Sequence, residues 1–353
     1  MEEKVRSAII NEKCIVKDAI KQLNENSLQF LAVVDDEYRL VGTVTDGDIR
    51  RAIVINLSLD QPVFDIMNRT PKYVYIGQEE NAKELMMKYK IKTVPVVDGE
   101  KKIVDLILME EFIGVKYEYS RKNNYVFIMA GGKGTRLDPF TKILPKPLIP
   151  IGDKPIIEII MKNFKNYGFN DFIISLNYKA EIIKLYFAEN PDGYNINFVQ
   201  EKEFLGTAGS LRLAIDKLND TFIVSNCDVI IDIDFDELLK YHKKNGNHAT
   251  IVGVVKNMQI PYGVMNVNNG ELINMIEKPE YNFVINSGVY VLEPELIKLI
   301  PNDQSFNMPD LLLKSKEHGY KIGVYPVSSK WFDVGQWEEY RNTLEYFKKV
   351  DGL

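Results

Sequence analysis

An internal repeat restricts the fold more than any other feature of this chain. Residues 30–49, FLAVVDDEYRLVGTVTDGDI, align with residues 93–112, TVPVVDGEKKIVDLILMEEF, at an offset of 63. Val33, Val34 and Asp35 fall on Val96, Val97 and Asp98, and Leu40 and Val41 on Ile103 and Val104. Each copy reads as apolar strand, polar turn and second strand. Upstream of them, VKDAIKQLNEN and ENAKELMMKYK carry apolar residues at helical spacing, so each unit is helix, strand, turn, strand and a closing helix. One such unit cannot bury its sheet face alone, whereas two stacked together can.

After the repeats the pattern changes. The stretch YEYSRKNN, residues 117–124, is polar, has neither strand nor helix periodicity, and reads as a linker. This places one domain at 1–118 and a second at 125–350, which a chain of 353 residues accommodates. From Tyr125 onward apolar strands such as VFIMA, DFIISLN and FIVSNCDVII alternate with amphipathic helices such as PIIEIIMKNFKNYGF and FDELLKYHKKNG. That alternation predicts an α/β domain with a Rossmann-like mixed, mostly parallel sheet covered on both faces. Ligands of such sheets sit at the carboxyl ends of the strands. The tail, QWEEYRNTLEYFKKVDGL, is amphipathic and reads as a terminal helix.

Charge and composition remove several classes of function. The formal charge is −6, with 44 basic and 50 acidic residues interspersed, so no basic field tracks a nucleic acid. The start, MEEKVRSAII, lacks a basic segment followed by an apolar one, and no apolar run approaches the roughly 20 residues of a membrane span. A cytoplasmic protein without a membrane partner is the expectation. Cys14 and Cys227 have no CxxC partner, which argues against a disulfide framework or a zinc site. His242, His248 and His318 are scattered and do not suggest a histidine metal site.

The run VFIMAGGKGTRL, residues 126–137, is a strand ending in three glycines, a lysine and an arginine. A glycine-rich turn at a strand's carboxyl end exposes backbone N–H groups that phosphate oxygens can approach. It is not a P-loop, which needs a glycine where Phe127 stands and a Ser or Thr where Gly134 stands. Nor is it a dinucleotide fingerprint, since Leu137 occupies the position of the third glycine.

Two resemblances carry the reading further. Around GTVTDGDI the N-terminal half resembles a tandem CBS-domain pair, in which Thr45 and Asp48 would hold the ribose of a purine nucleotide between the repeats. Leu108 and Glu111 stand at the matching positions of the second copy, so at most one cleft keeps the polar pair. The alternative is a pair that only packs and dimerises, with Asp46 and Asp48 as helix N-terminal residues. The C-terminal half resembles the sugar-1-phosphate nucleotidyltransferases, with a GT-A-like fold. It does so through GGKGTRLDPFTKILPKPLIPIGDKPII (131–157), LGTAGSL (205–211), NCD (226–228), YGV (262–264), EKP (277–279), NSGVY (286–290) and WFDVG (331–335).

The resemblance implies attack by a sugar-1-phosphate oxygen on the α-phosphorus of a nucleoside triphosphate, with release of pyrophosphate. Two anions must be held in line, so the site needs cations and donors more than a nucleophile or base. Gly131, Gly132, Gly134 and Thr135 would cradle the β and γ phosphates, Arg136 would neutralise the leaving pyrophosphate, and Lys146 would lie beside the α-phosphate, with Lys133 turned to solvent. Asp228, after an apolar strand, and Asp333, far along the chain, would hold Mg²⁺. Asp232, Asp234 and Asp236 read as loop and N-cap residues, and Cys227 as a buried spacer. Lys278 would grip the sugar phosphate and Glu277 the sugar hydroxyls, with Gly263 and Asn286 against the sugar ring. Gly206 and Thr207 would lie against base and ribose, and Gln200 or Glu201 would read the base edge.

A CBS pair ahead of this domain resembles the glucosamine-1-phosphate guanylyltransferases of legionaminic acid biosynthesis, and the catalytic half also looks like mannose-1-phosphate guanylyltransferases. GTP, glucosamine-1-phosphate and a homodimer are the expectations that follow. Two other readings stand beside them: a non-catalytic nucleotide sensor, which would have a broken metal site or phosphate loop, and an enzyme whose CBS pair is purely structural.

Overall fold

In the computed structural model the described residues are 3–26, 28–112, 119–189, 193–302 and 304–351. The expected domain end at 118 and the first two linker residues, 117 and 118, lie outside them. By compactness the chain divides into two units. One comprises residues 1–117, 253–285 and 326–329; the other comprises 118–252, 286–325 and 330–353.

The first unit holds the repeats. The first contains α1 (Glu3–Ser7), β1 (Ile9–Asn11), α2 (Val16–Glu25), β2 (Phe30–Val34), β3 (Leu40–Thr45) and α3 (Asp46–Val54). The second contains β4 (Val74–Tyr75), α4 (Asn81–Tyr89), β5 (Thr93–Val97) and β6 (Ile103–Leu108). Each forms a three-stranded sheet, β1-β2-β3 and β4-β5-β6.

The offset of 63 holds at the level of single residues. Phe30 pairs with Thr45 as Thr93 pairs with Leu108, and the register slips between Val33 and Val34 as it does between Val96 and Val97. The Asp35 carboxylate accepts from the N–H groups of Glu37 and Arg39, and the Asp98 carboxylate from those of Glu100 and Lys102. These are Asx-type turns, closing the two hairpins by the same local chemistry. A bridge between Arg39 and Lys102 links the copies. One core cluster contains Phe30, Ala32, Val34 and Leu40 together with Val97, Ile103 and Leu106. The sheet faces are thus buried jointly, as the repeat requires. The copies differ after the second strand: α3 follows β3, whereas β6 is followed by one 3₁₀ turn, Met109–Glu111.

The second unit is built on β7 (Val126–Ala130), β8 (Pro150–Ile151), β9 (Lys154–Pro155), α5 (Ile156–Asn166), β10 (Asp171–Leu176), α6 (Ala180–Ala188), β11 (Asn195–Gln200), α7 (Gly206–Gly209), β12 (Phe222–Asn226), β13 (Val229–Ile231) and α8 (Phe235–Lys244). Further along come β14 (Ala249–Gln259), β17 (Glu280–Leu292), α9 (Met308–Glu317), β18 (Ile322–Val327), β19 (Trp331–Asp333) and α10 (Trp337–Asp351), while the hairpin of β15 (Val264–Asn268) and β16 (Glu271–Ile276) falls in segment 253–285 of the first unit. The main sheet has the order β11-β10-β7-β12-β17-β14-β18. Its β11, β10, β7 and β12 are parallel, and β17 runs antiparallel to β12. This is the mixed, mostly parallel sheet that the alternation predicts. Buried on both faces, β7 and β12 read as continuous apolar runs. Helix α5 buries Ile156, Ile157, Ile160, Met161 and Phe164, one helical face.

FIVSNCDVII is not one strand. It breaks at Cys227–Asp228 between β12 and β13, and β13 pairs instead with β19, Val229 opposite Asp333. The described part of the linker is docked: Tyr119 donates to the Asp234 carboxylate (3.1 Å), Lys122 pairs with Asp236, and the Asn124 amide donates to the Thr221 carbonyl (2.7 Å).

Candidate active site

The second unit contains a cavity of about 330 Å³ where parallel strands end. Residues 131–136 follow β7, Ser175 is near the end of β10, Glu201 follows β11, and Asn226–Asp228 close β12. All of these except Lys133 face this cavity, together with Lys146, Asp333 and Gly335. This is the carboxyl edge at which doubly wound sheets place their ligands.

The glycine turn is forced by what surrounds it. A Cβ on Gly131 would lie 2.5 Å from Glu201 Oε1, so glycine lets the buried carboxylate reach the strand end. Gly134 has φ +67, and a Cβ there would meet both Lys146 Cβ and Thr141 Cγ2 at 2.9 Å. Only glycine adopts that backbone without strain while bringing the loop against Lys146. Lys133 is exposed and does not line the cavity, as expected.

The charged centre combines three distant segments. Lys146, on a 3₁₀ turn between Pro145 and Pro147, forms an ion pair with Asp228 Oδ2. A Cβ on Gly335 would lie 2.7 Å from Asp333 Oδ1, 3.2 Å from Asp228 Oδ2 and 3.2 Å from Lys146 Nζ. Two carboxylates and one ammonium therefore converge on a single point that the absent side chain leaves open. Burial pulls the Lys146 ammonium down, but Asp228 and Asp333 outweigh it and hold it above the usual lysine value. Burial and then the Asp228 charge push the Asp333 carboxyl up, against the opposing pull of Lys146, the Gly335 N–H and Arg136. Cys227 is buried beside them, and burial pushes its thiol up to about 12, so it is a spacer rather than a nucleophile.

Asp228 and Asp333 suit a hard divalent cation: both are oxygen donors, and their facing oxygens share one opening. Among the described residues no group of three or more His, Cys, Asp or Glu could hold a metal. Two carboxylates would leave a bound cation's other positions to phosphate and water.

Glu201 is the base-edge candidate in this cavity. It is 4% exposed, accepts a hydrogen bond from the Leu205 N–H at 2.9 Å, and is pushed up by burial against the pull of that N–H and of Ser175. Gln200 is not in the lining; it is exposed and accepts from Lys184 at 2.8 Å. Gly206 and Thr207 line the cavity at the start of α7, where the Thr207 hydroxyl accepts from the Met308 N–H at 2.8 Å. Gly263, Glu277 and Lys278 lie on segment 253–285, grouped with the repeats, and are outside the lining. There, Gly263 leaves room for Glu277, whose Oε2 lies 2.9 Å from where a Cβ would stand. Asn286 is also outside the lining, with its side chain held by the Gly288 N–H (3.0 Å) and the Tyr290 hydroxyl (2.8 Å). Asp234 caps α8 by accepting from Asp236 and Glu237 N–H, as expected.

Met129, Ser175, Phe204, Asn226 and Gly335 line the cavity without having been singled out. Asn226 and Gly335 lay inside the quoted motifs NCD and WFDVG. Met129 and Ser175 could have been found as strand-end positions, whereas nothing in the sequence marks Phe204.

In the first unit Thr45 and Asp48 are bonded to each other. Asp48 Oδ2 accepts from the Thr45 N–H (2.9 Å) and hydroxyl (2.7 Å), and Asp48 also pairs with Arg51.

Residues 125–349 match the family model "Nucleotidyl transferase", and residues 6–55 and 63–117 each match a CBS domain. The chain belongs to the nucleotidyl transferase family and carries a CBS pair. It is 38% identical over 225 residues to the mannose-1-phosphate guanyltransferase of Yarrowia lipolytica, covering 59% of this chain and 60% of that protein. It is 33% identical over 243 residues to the UTP–glucose-1-phosphate uridylyltransferase of Synechocystis, covering 62% of each. The chain thus spans about three fifths of the length of these relatives. The crystal structure of HddC from Yersinia pseudotuberculosis complexed with GMP-PN matches with a TM-score of 0.51 at 29% identity, covering 64% of this chain and all of that one. Among the described residues no helix is long and apolar enough to cross a membrane.

Proposed function

We propose that the protein condenses a nucleoside triphosphate with a sugar-1-phosphate, forming a nucleotide sugar and pyrophosphate. The observation that carries this is the convergence of Lys146, Asp228 and Asp333 beside a glycine turn and Arg136 in one cavity. A phosphate oxygen of the sugar-1-phosphate forms the new bond to the α-phosphorus, the bond to the β-phosphate oxygen breaks, and that oxygen leaves with pyrophosphate. The attacking phosphate is ionised at neutral pH, so no histidine or nucleophilic side chain is required.

The chain's own residues have the following roles. Backbone N–H groups of Gly131, Gly132, Gly134 and Thr135 hold the β and γ phosphates, and Arg136 offsets the charge that builds on the leaving group. Lys146 lies beside the α-phosphate, held there by its pairing with Asp228. Asp228 and Asp333 hold Mg²⁺, which when bound supplies charge neutralisation to the phosphates. Lys278 and Glu277, with Gly263 and Asn286, recruit the sugar phosphate. Gly206 and Thr207 support the nucleoside.

GTP is the favoured nucleotide. Guanine presents two donors, N1 and N2, and Glu201 is a buried carboxylate in the cavity. The guanyltransferase relatives and the solved relative holding GMP-PN support the same choice. Glucosamine-1-phosphate, and with it legionaminic acid synthesis, is favoured by the CBS pair ahead of this domain. Mannose-1-phosphate is the second reading, favoured by the 38% identical relative. A non-catalytic sensor is disfavoured because Arg136, Lys146, Asp228 and Asp333 share the cavity. The CBS pair, with residues 117–124 as the junction, takes a purine nucleotide at Thr45 and Asp48, and the protein acts as a cytoplasmic homodimer.

The test is pyrophosphate release with Mg²⁺, each nucleoside triphosphate being offered with glucosamine-, mannose-, glucose- and N-acetylglucosamine-1-phosphate. Turnover peaking with GTP and glucosamine-1-phosphate is expected. A peak with another pair keeps the reaction and corrects the substrate, whereas no turnover with any pair overturns the reading.

A further inference from the structure

Residues 138–150 carry Lys146 and lead from the glycine turn to the start of β8, and side chains of two other segments hold this loop at both ends and in the middle. All three segments lie in the second unit. At one end the Trp337 indole N–H donates to the Asp138 carbonyl at 3.1 Å, and at the other the Tyr340 hydroxyl donates to the Pro150 carbonyl at 2.9 Å. Trp337 and Tyr340 are three apart at the start of α10, so they share one helical face. The Phe140 ring packs against both, with centroids 4.8 and 6.3 Å away. In the middle of the loop, Phe140–Lys142 forms one 3₁₀ turn, and the last carbonyls of such a turn lack partners within it. Two adjacent side chains meet them. The Tyr178 hydroxyl donates to the Thr141 carbonyl at 3.2 Å, and the Lys179 ammonium to the Lys142 and Ile143 carbonyls at 2.6 and 2.8 Å. Lys179 does so from a left-handed backbone, φ +53, which is costly for a residue other than glycine.

The glycine turn rests directly on this loop. A Cβ on Gly134 would meet Thr141 Cγ2 and Lys146 Cβ at 2.9 Å each, which leaves no gap between them. Thr141 is buried, and its hydroxyl donates to Asp138 Oδ1 at 2.6 Å. Lys146 reaches the cavity and pairs with Asp228. The stretch of chain that clasps the loop also supplies the other carboxylate: Asp333 ends β19, Gly335 lines the cavity, and α10 begins at Trp337. Lys146 is thus fixed at the tip of its side chain by Asp228, and in the backbone that carries it by Trp337, Tyr340, Tyr178 and Lys179.

We infer that Trp337, Tyr340 and Lys179 are positioning residues for the glycine turn and Lys146, so that α10 serves the reaction as well as the packing of the domain. The inference rests on reading the glycine turn and Lys146 as the groups that hold the triphosphate. Its logic is preorganisation. A lysine that acts on charge developing at the α-phosphate loses effect when its backbone shifts, even where the ion pair with Asp228 survives. The residues proposed for the sugar phosphate, Gly263, Glu277 and Lys278, lie on segment 253–285, outside this loop. Loosening the loop should therefore change kcat and the KM for the nucleoside triphosphate and leave the KM for the sugar phosphate alone.

The experiment uses the full-length chain with Mg²⁺. It measures kcat and both KM values for the substrate pair turned over fastest, binding of inorganic pyrophosphate by calorimetry, and thermal melts. Trp337→Ala, which removes both the N–H and the ring, is expected to lower kcat about 10- to 100-fold, the scale of a misplacement of about 1 Å. It should also weaken pyrophosphate binding about 3- to 10-fold, the scale of one lost hydrogen bond. Trp337→Phe, which keeps a ring against Phe140, should recover part of both. Lys179→Met, and then Tyr340→Phe, should act in the same direction by less, with the sugar-phosphate KM near its wild-type value throughout. Thr343→Val is the control. Thr343 is buried in the same helix, where its hydroxyl donates to the Glu339 carbonyl at 2.6 Å, so this variant should lower the melting temperature without moving kcat or either KM.

Wild-type kcat and pyrophosphate affinity in Trp337→Ala and Lys179→Met would overturn the positioning role. So would equal rises in both KM values, or a loss of kcat in Thr343→Val as large as in Trp337→Ala. If the wild type turns over no substrate pair yet binds pyrophosphate, the condensation reading fails and the pyrophosphate Kd values of the variants decide the positioning role. If it binds no pyrophosphate either, both fail. Should Trp337→Ala not fold, Trp337→Phe and Lys179→Met decide on the same scale.

Discussion

The cavity and the first CBS repeat use similar residues after a strand, and they leave them in opposite states. At the end of β12, Asp228 and its neighbours face an opening of about 330 Å³, and even the Lys146 pairing leaves the carboxylate oxygens of Asp228 and Asp333 converging on free space. At the end of β3, Thr45 and Asp48 satisfy each other and the N-terminus of α3. In the first case two partly buried carboxylates share one ammonium and stay open to the cavity, where a cation would offset the remaining cost of their burial. In the second the groups are spent on the fold, so a ligand must displace bonds that already exist. The comparison separates polar groups left open to a cavity from polar groups already closed on one another.

The largest effect should come from breaking the first state. Asp228→Asn removes one charge of the carboxylate pair proposed to hold Mg²⁺ and the partner of Lys146, and turnover is expected to fall by about two orders of magnitude or more, the scale seen when one group acting on developing charge is lost. Steady-state rates across a Mg²⁺ titration check this, and a wild-type rate would remove Asp228 from the centre. A smaller effect is expected for Gly131→Ala. Its Cβ would meet Glu201 Oε1 at 2.5 Å, so the carboxylate must shift. Overpacking of this kind costs about 1–3 kcal/mol. If Glu201 reads guanine, the KM for GTP should rise roughly tenfold or more while that for the sugar phosphate moves little. Equal rises for both would point to general damage to the loop.

How much of this was legible beforehand differs between the same two regions. The repeat offset fixes every paired residue of the two hairpins, including their bulges, because one local pattern builds both copies. That the glycine turn and the charged centre belong together was legible from motifs, since Gly131, Arg136, Lys146, Asp228 and Asp333 are marked by neighbours in the sequence and share one cavity. What stayed hidden is long-range. Asp46 was read as a helix N-terminal residue, which it is, but its bonds to Ser328 depend on packing that no spacing reports. The grouping of residues 253–285 with the repeats is hidden for the same reason: Val255 sits in the same apolar cluster as Val16, Ile20 and Ile49, and no motif announces it. Gln200 and Glu201 could not be separated by sequence, because which of two adjacent residues faces inward depends on where β11 ends.

The smallest effect tests the second state, and it turns on the difference between the copies. Asp48 is 4% exposed and bonds both the N–H and the hydroxyl of Thr45. Its counterpart Glu111 pairs with Lys4 at a partly exposed position, with side chains 46% and 28% exposed. Asp48→Ala should therefore cost about 1 kcal/mol as a lost helix cap, lowering the melting temperature by about 2–4 °C. Glu111→Ala should cost little, since exposed pairs contribute about 0–1 kcal/mol. Adding a purine nucleotide turns the same melts into a test of the ligand site. A ligand held by Thr45 and Asp48 must take over bonds that now close α3, so it should raise the melting temperature of the wild type and of Glu111→Ala but not of Asp48→Ala. A stabilisation lost in Glu111→Ala and kept in Asp48→Ala would move the site to the second copy. With no stabilisation in any of the three, the Thr45–Asp48 pair would be a cap alone.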